Sequence, residues 1–172
     1  PPEILFIERC TQLLAPGGRM GIVLPDSILG APKLGYIREW LIKNHRIIAS
    51  VDLHVDTFQP RNGTQTSVLF LQKKTQEQRD TEEKTGVMVD YNIFMAMVEK
   101  VGHDKRGNPV FKRDNEGNEI LVPDVSNTLV LGATSSGEHT VSTQQKRKVE
   151  DDQTPDVPAI FKKWKTQEGI SW

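Results

Sequence analysis

Three short apolar runs, at residues 20–24, 47–53 and 67–71, organise the first half of the chain. Segment 33–44 lies between the first two runs and carries apolar residues at helical spacing. A helix between two short β-rich runs predicts a βαβ unit with parallel strands. Loop 54–66 is too short for a crossover helix, so we expect the third strand to return antiparallel beside the second. The pattern therefore predicts one half of an α/β sheet.

The segments on either side are expected to add small elements. Residues 4–14 carry apolar side chains on one side and end at Pro16-Gly17-Gly18, which predicts a helix before the first strand. Residues 87–89 fit a short strand, and the apolar positions of 93–101 predict a helix. Residues 108–120 predict a hairpin with positive backbone dihedrals at its turn.

We expect the chain to divide into five parts. These are an α/β unit at 1–74, a polar connector at 75–85, a helix and hairpin extension at 86–122, a flexible linker at 123–156 and a C-terminal helix at 157–172. The last helix has little core beside it in sequence. It is expected to dock on a missing part of the protein, on a partner subunit, or on this domain.

Composition describes a soluble protein without a strong charge bias. The chain has 172 residues, 36% hydrophobic and 26% charged, with a formal net charge of −1, so overall basicity gives no argument for nucleic acid. The single cysteine, Cys10, excludes an internal disulfide, and no run is long enough to span a membrane, which predicts a cytoplasmic protein. Because the chain opens Pro-Pro without an initiator methionine, we expect it to be a piece of a longer protein.

Functional residues in such sheets lie beyond the carboxyl ends of the parallel strands, which directs attention to 25–32 and 54–66. A catalytic triad is suggested by four residues that lie close together in sequence, namely Ser50, Asp52, His45 and His54. We reject a triad because it needs a nucleophile on a sharp elbow and a base brought from elsewhere in the fold. The four histidines show no metal-ligand spacing, so no metal site is predicted.

The order of the segments resembles a known enzyme family. The matching pieces are a helix, Pro16-Gly17-Gly18, Arg19-Met20-Gly21-Ile22-Val23-Leu24-Pro25, Ile37-Arg38-Glu39-Trp40-Leu41, Phe58 ahead of Thr66-Ser67-Val68-Leu69-Phe70, and Ile93-Phe94-Met95-Ala96 followed by Gly102-His103-Asp104-Lys105-Arg106-Gly107-Asn108-Pro109. Together they resemble the C-terminal half of the catalytic domain of N6-adenine DNA methyltransferases, most closely the modification subunit of type I restriction–modification systems. The resemblance covers residues 4–122.

The resemblance implies half of a Rossmann-like sheet that uses S-adenosylmethionine, with an antiparallel final strand. The family binds this cofactor through a glycine-rich loop after its first strand and holds the target amine with an Asn/Asp-Pro-Pro-aromatic tetrapeptide. Neither motif is present in this chain. Pro1-Pro2 is not the end of the tetrapeptide, because Glu3 follows it where the aromatic residue belongs. We therefore expect no catalytic residue here, a cofactor site mostly outside this chain, and no methylation by this chain alone.

The chain retains positions that match the pocket for a flipped adenine. The resemblance places Phe58 against the base, although a core phenylalanine that closes the loop is the alternative. Arg61, Asn62 and Thr64 suit contacts to the DNA backbone, and a plain polar hairpin explains them equally well. Asp26 either lines the same pocket or caps a turn.

The resemblance also implies partners, namely double-stranded DNA and the specificity and restriction subunits of a type I system. The charged segments Asp104-Lys105-Arg106 and Lys112-Arg113 either touch DNA phosphates or form solvated surface, and the solvated surface is the favoured interpretation. The competing hypothesis for the whole chain is a non-catalytic scaffold that binds a partner subunit. Fold alone does not separate these functions.

Overall fold

A four-stranded mixed sheet forms the centre of the computed structural model, which describes residues 2–131 and 138–170. Its strands are β1 (Arg19–Pro25), β2 (His45–Asp52), β3 (Thr66–Lys73) and β4 (Phe94–Met97), in the order β1-β3-β2-β4. β3 pairs antiparallel with both β1 and β2, and β4 pairs parallel with β2. The predicted α/β architecture and the antiparallel return of β3 beside β2 are confirmed.

β1 and β2 run in the same direction but are not neighbours, because β3 lies between them. The short loop before β3 lets the strand turn back beside β2, and its other edge then pairs with β1. Leu71 is fully buried and lies opposite Met20 on one side and Ile47 on the other. The third apolar run, at residues 67–71, therefore forms an inner strand of the sheet.

Helices α1 (Pro2–Leu13), α2 (Asp26–Gly30) and α3 (Gly35–Asn44) contribute to the main core. The predicted helices at 4–14 and 33–44 are confirmed, the second preceded by a short 3-10 turn at Pro32–Leu34. The buried cluster comprises Ile7, Leu24, Ile28, Ile37, Leu41, Ile47, Leu69 and Leu71. Cys10 is half-buried on α1.

A buried histidine joins α1 and α3 to the start of β2. His45 is completely buried, and its Nδ1 donates to the Leu41 carbonyl oxygen at 3.2 Å. Its Nε2 lies 3.1 Å from Thr11 Oγ1. Burial lowers the pKa of His45, the bond to Leu41 opposes this shift, and the positive charge of Lys73 lowers the pKa further.

The second face of the sheet is covered in part by α5 (Val157–Gln167). The ring of Phe94 in β4 lies 5.2 Å from the ring of Phe161 and 5.4 Å from that of Trp164. The predicted C-terminal helix is therefore confirmed, and it packs on this domain, one of the three placements left open.

The prediction of a helix at 93–101 is wrong, because residues 94–97 form β4. Phe94 and Val98 are buried while Met95 and Met97 are each 70% exposed, which is the alternation of a strand. All of these side chains are apolar, so the sequence does not show which of them face inward. Parallel pairing with β2 decides the conformation.

The polar connector predicted at 75–85 contains a helix, α4 (Gln76–Thr85). Thr75 and Gln78 form a capping box at its start, and Gly86 ends it in the left-handed conformation. Lys74 is buried and pairs with Glu82 at 2.6 Å, which attaches α4 to the sheet. No residue of α4 is buried, so the apolar pattern used for prediction was absent. The strand predicted at 87–89 is not formed.

The prediction of a flexible linker at 123–156 is wrong over most of the described part of this segment. β5 (Leu121–Leu131) and β6 (Glu138–Lys148) pair antiparallel as a separate two-stranded sheet. These segments contain several β-branched valines and threonines, which favour strands, among polar residues that suggested a linker. The middle of the predicted linker, 132–137, lies outside the described residues. The predicted hairpin at 108–120 has its turn at Asp114–Asn118 and one bridge between Arg113 and Glu119.

We expect the free energy of unfolding to fall as the pH drops below about 6.5, the ordinary pKa of histidine in an unfolded chain. Below that value His45 is protonated more readily in the unfolded chain than in the folded chain, because burial lowers its pKa in the folded state. The expected loss is at most about 1.4 kcal/mol per pH unit, and His45 contributes no pH dependence above this range. Urea unfolding at a series of pH values measures the slope.

His45→Gln is expected to remove this part of the slope. His103→Gln, which changes a half-buried histidine outside the sheet, serves as the matched control and should retain it. Equal slopes for the unchanged chain and His45→Gln would contradict the assignment.

We expect Phe161→Ala to lower the free energy of unfolding by about 2 kcal/mol, because its ring packs against Phe94. Ile160→Ala on the same helix is the control, since Ile160 is 56% exposed and should cost much less. Urea unfolding of the two variants tests the packing of α5 on the sheet. Equal destabilisation by the two substitutions would show that α5 does not dock through Phe161.

Candidate functional site

The carboxyl ends of β1 and β2 lie at one edge of the sheet, where the residues that follow them meet. Asp26 begins α2 directly after β1 and is half-buried. Ser67 Oγ, near the start of β3, donates to Asp26 Oδ1 at 2.8 Å. The Asp26 backbone N–H donates to the Gln65 carbonyl oxygen at 3.1 Å. Asp26 is therefore fixed to the base of the loop that precedes β3.

Gln65 holds the same loop to the end of β2. Its Nε2 donates to Asp52 Oδ1 at 2.8 Å and also to the Leu53 carbonyl oxygen. The Leu53 N–H in turn donates to the Thr66 carbonyl oxygen at 3.0 Å. The two strand ends and the loop base thus form one hydrogen-bonded unit, and sequence analysis did not identify Gln65 as part of it.

The loop itself is built from consecutive turns that present Phe58. Thr57 donates to the His54 carbonyl oxygen through both its N–H and its hydroxyl. The Phe58 carbonyl oxygen accepts the N–H groups of Arg61 at 3.1 Å and Asn62 at 3.0 Å. The backbone is thereby ordered around Phe58, while 41% of that residue remains exposed.

The three polar residues predicted for the DNA backbone are all exposed but differ in their bonding. Asn62 Oδ1 accepts the Thr64 N–H at 2.9 Å, so this side chain shapes the loop. Arg61 and Thr64 have exposed side chains on the same loop. The structure thus places Phe58, Arg61, Asn62 and Thr64 on one loop and Asp26 at its base.

A contact that sequence analysis did not predict joins this loop to the later part of the chain. The turn Asp104–Asn108 lies against Pro60, and a Cβ atom added to Gly107 would lie 3.4 Å from Pro60 Cδ. Segment 102–109 is one of the pieces that resemble the methyltransferase family. Neither the periodicity nor the composition of the sequence predicts that this segment lies beside the candidate loop.

The structure separates two of the residues weighed for a catalytic triad. His45 and Asp52 are the first and last residues of β2, and His45 is completely buried. Asp52 is already bound by Gln65. Among residues 2–131 and 138–170, no group of three histidine, cysteine or acidic side chains is arranged to hold a metal ion.

The glycine turn before β1 does not fit a cofactor loop. Gly17 N–H donates to the Lys73 carbonyl oxygen at 2.8 Å, and Gly18 N–H donates to that of Ala15 at 2.9 Å. A cofactor loop follows a strand and offers free N–H groups at its carboxyl end. This turn precedes β1, at the opposite edge from Asp26, and we assign no residue of this chain to S-adenosylmethionine.

Gln65→Ala is expected to loosen the candidate loop, because the Leu53 carbonyl and the Asp52 carboxylate lose a common donor. The cost of about 1 to 2 kcal/mol corresponds to roughly five- to thirtyfold faster hydrogen exchange of the amides in residues 54–64. Mass-spectrometric hydrogen exchange measures this effect. Thr64→Ala, which removes an exposed neighbouring side chain, is the control. Equal exchange in both variants would contradict the role of Gln65.

In the described part of the chain, no helix combines the length and the apolar character that a membrane crossing requires. The search of curated proteins found no match. Among solved structures, a putative class I S-adenosylmethionine-dependent methyltransferase from Listeria monocytogenes has 22% identity and a TM-score of 0.43, over 55% of this chain and 26% of that chain. A structure concerned with complex assembly and conformational transition of the type I R-M system has 22% identity and a TM-score of 0.46, over 63% of this chain and 21% of that chain.

This chain therefore spans about a fifth to a quarter of the length of those two solved structures. A sequence profile gives the stronger comparison. The profile described as N-6 DNA Methylase matches residues 2–116, which is more than half of the chain and includes the sheet, the candidate loop and the turn beside it. The chain belongs to the N-6 DNA Methylase family.

Proposed function

We propose that this chain supplies the target-base side of the catalytic domain of a DNA adenine-N6 methyltransferase, the modification subunit of a type I restriction–modification system. The complete enzyme would transfer a methyl group from S-adenosylmethionine to an adenine amine. The observation that carries the proposal is the half-exposed ring of Phe58 at the carboxyl edge of the sheet, in a chain of the N-6 DNA Methylase family.

The chemistry of the substrate explains why such a ring is needed. The amine of a paired adenine lies inside the duplex, so the enzyme must extrude the base at a cost of a few kcal/mol. Stacking on an aromatic side chain returns about 1 to 3 kcal/mol per base. An exposed ring on an ordered loop can provide this energy without first opening a core, and the turns around Phe58 fulfil that condition.

The surrounding residues are assigned to orientation of the extruded nucleotide. We assign Asp26 to the wall of the base pocket, because its bond to Ser67 fixes the carboxylate at the base of the loop. Arg61 and Thr64, both exposed, are assigned to the sugar–phosphate backbone. Asn62 is assigned to the same surface, where its bond to the Thr64 N–H keeps the loop in shape.

The partners in this proposal are double-stranded DNA and the specificity and restriction subunits. Sequence choice is assigned to the specificity subunit. Calorimetric titration of S-adenosylmethionine tests the catalytic role against a scaffold role. Binding by the complete protein but not by this chain supports the proposal, whereas binding by neither favours the scaffold. Binding by this chain alone would place the cofactor site among residues to which we assign none.

In the complete protein, Phe58→Ala is expected to weaken target-base engagement while cofactor affinity stays unchanged. Loss of about 1 to 3 kcal/mol of stacking corresponds to roughly a 5- to 160-fold loss in the rate constant for methylation at subsaturating DNA. Fluorescence of 2-aminopurine at the target position measures base extrusion, and calorimetry measures cofactor binding.

Val55→Ala is the matched control, because Val55 lies on the same loop and is 40% exposed. Phe58→Trp should retain extrusion, since it preserves an aromatic face. Unchanged methylation and extrusion in Phe58→Ala would refute the stacking role.

A further inference from the structure

Two consecutive ten-residue segments of this chain repeat the same pattern. Residues 101–110 read VGHDKRGNPV and residues 111–120 read FKRDNEGNEI. The shared positions are an aspartate, a glycine three residues later and an asparagine after that. Each repeat therefore carries a D-x-x-G-N turn between two short extended segments, and the two middle positions of the turns differ.

The shared residues build the same turn twice. Asp104 Oδ1 accepts the N–H groups of Arg106 at 2.8 Å and Asn108 at 2.9 Å. Asp114 Oδ1 accepts those of Glu116 and Asn118, both at 2.9 Å. The glycines have φ values of 82° at position 107 and 89° at position 117, the left-handed region that glycine adopts without strain.

Hydrogen bonds from the asparagines lower the pKa of both aspartates, so each carboxylate stays charged and committed to its own turn. The middle positions, by contrast, are exposed and make no contribution through their side chains to these bonds. The first turn carries Lys105 and Arg106 there, and the second carries Asn115 and Glu116. The turn geometry thus permits either a basic or an acidic tip.

The two tips also differ in their surroundings. A Cβ atom added to Gly107 would lie 3.4 Å from Pro60 Cδ, whereas one added to Gly117 would have nothing within 4 Å. Pro60 directly precedes Arg61 on the candidate loop, and Gly107 directly follows Arg106. The turn with the basic tip is therefore the one that lies against the candidate loop, where Arg61 follows Pro60.

We propose that Lys105 and Arg106 bind phosphates of the DNA backbone that passes the Phe58 loop, so that the first turn acts as a backbone clamp beside this loop. This inference rests on the proposed function. Because the chain has a net charge of −1, attraction to DNA must come from local groups of cations such as this one. The clamp contacts phosphates, so it contributes equally at every DNA sequence.

The second turn also determines how the clamp is tested. Lys105→Asn combined with Arg106→Gln in the complete protein gives the first turn an uncharged tip, and the second turn shows that Asn fits the first middle position. Loss of two phosphate contacts should reduce the slope of log affinity against log salt by about two units. DNA affinity at low salt should fall at least tenfold, by the same factor for DNA with and without the target site. Fluorescence anisotropy at several salt concentrations measures both quantities.

Two further variants serve as controls. Lys105→Arg combined with Arg106→Lys keeps both charges and should retain the slope. Lys162→Gln combined with Lys163→Gln removes two exposed cations from α5 and should also leave the slope unchanged. An unchanged slope in the uncharged-tip variant would overturn the clamp. The same slope loss in the α5 variant would overturn it too, because the effect would then report total charge.

Failure of the clamp can be distinguished from failure of the proposed function. If the unchanged complete protein methylates DNA and the uncharged-tip variant binds with an unaltered slope, the clamp is wrong and the proposed function stands. If the unchanged protein neither binds nor methylates DNA, both are wrong. Circular dichroism of the uncharged-tip variant should match that of the unchanged protein, and a folded variant with weakened binding supports the clamp.

Discussion

The insertion of β3 between β1 and β2 is the constraint on which the rest of this structure depends. β3 hydrogen-bonds along both edges, and its residue Leu71 is completely buried. Since the side chains of a strand alternate, a shift of β3 by one residue would turn Leu69 and Leu71 out of the core. The register is therefore fixed by burial, and the positions of all residues next to β3 are fixed with it.

The same register assembles the candidate site. Ser67 lies opposite Leu24 in β1 and opposite Asp52 in β2, so the start of β3 necessarily lies between the ends of both strands. Gln65, two residues earlier, can then reach the end of β2 with its side chain and Asp26 with its carbonyl oxygen. The loop is tied down at its base by pairing in the sheet, and its outer turns stay accessible.

Sequence reasoning predicted the elements whose apolar residues follow a clear period. Three strands, α1, α3 and α5 were found because each shows either a compact apolar run or a one-sided stripe. β4 was misassigned because Phe94, Met95, Ala96 and Met97 are all apolar and tertiary pairing selects the strand. α4 was missed because its stabilisation comes from a capping box and the Lys74–Glu82 ion pair rather than from an apolar face.

For the candidate site, sequence located the loop and the residue types but not the contacts between distant segments. Phe58 was singled out by its order in the family pattern. Gln65 was missed because a polar residue before a strand has no distinctive pattern. The approach of Gly107 to Pro60 joins segments that are far apart in sequence, and only the three-dimensional structure reveals it.

In both the loop and the adjacent turn, the groups that define the backbone differ from the groups that are exposed to a ligand. This difference affects how their variants should be interpreted. In the turn, Asp104 and Asn108 make the bonds that define the backbone, and Lys105 and Arg106 are exposed. In the loop, the Phe58 backbone organises the turn while much of its ring stays in solvent. Side chains that the fold does not require are those that a ligand can use. Because they contribute little to folding, their removal reports on binding more directly than removal of Asp104 would.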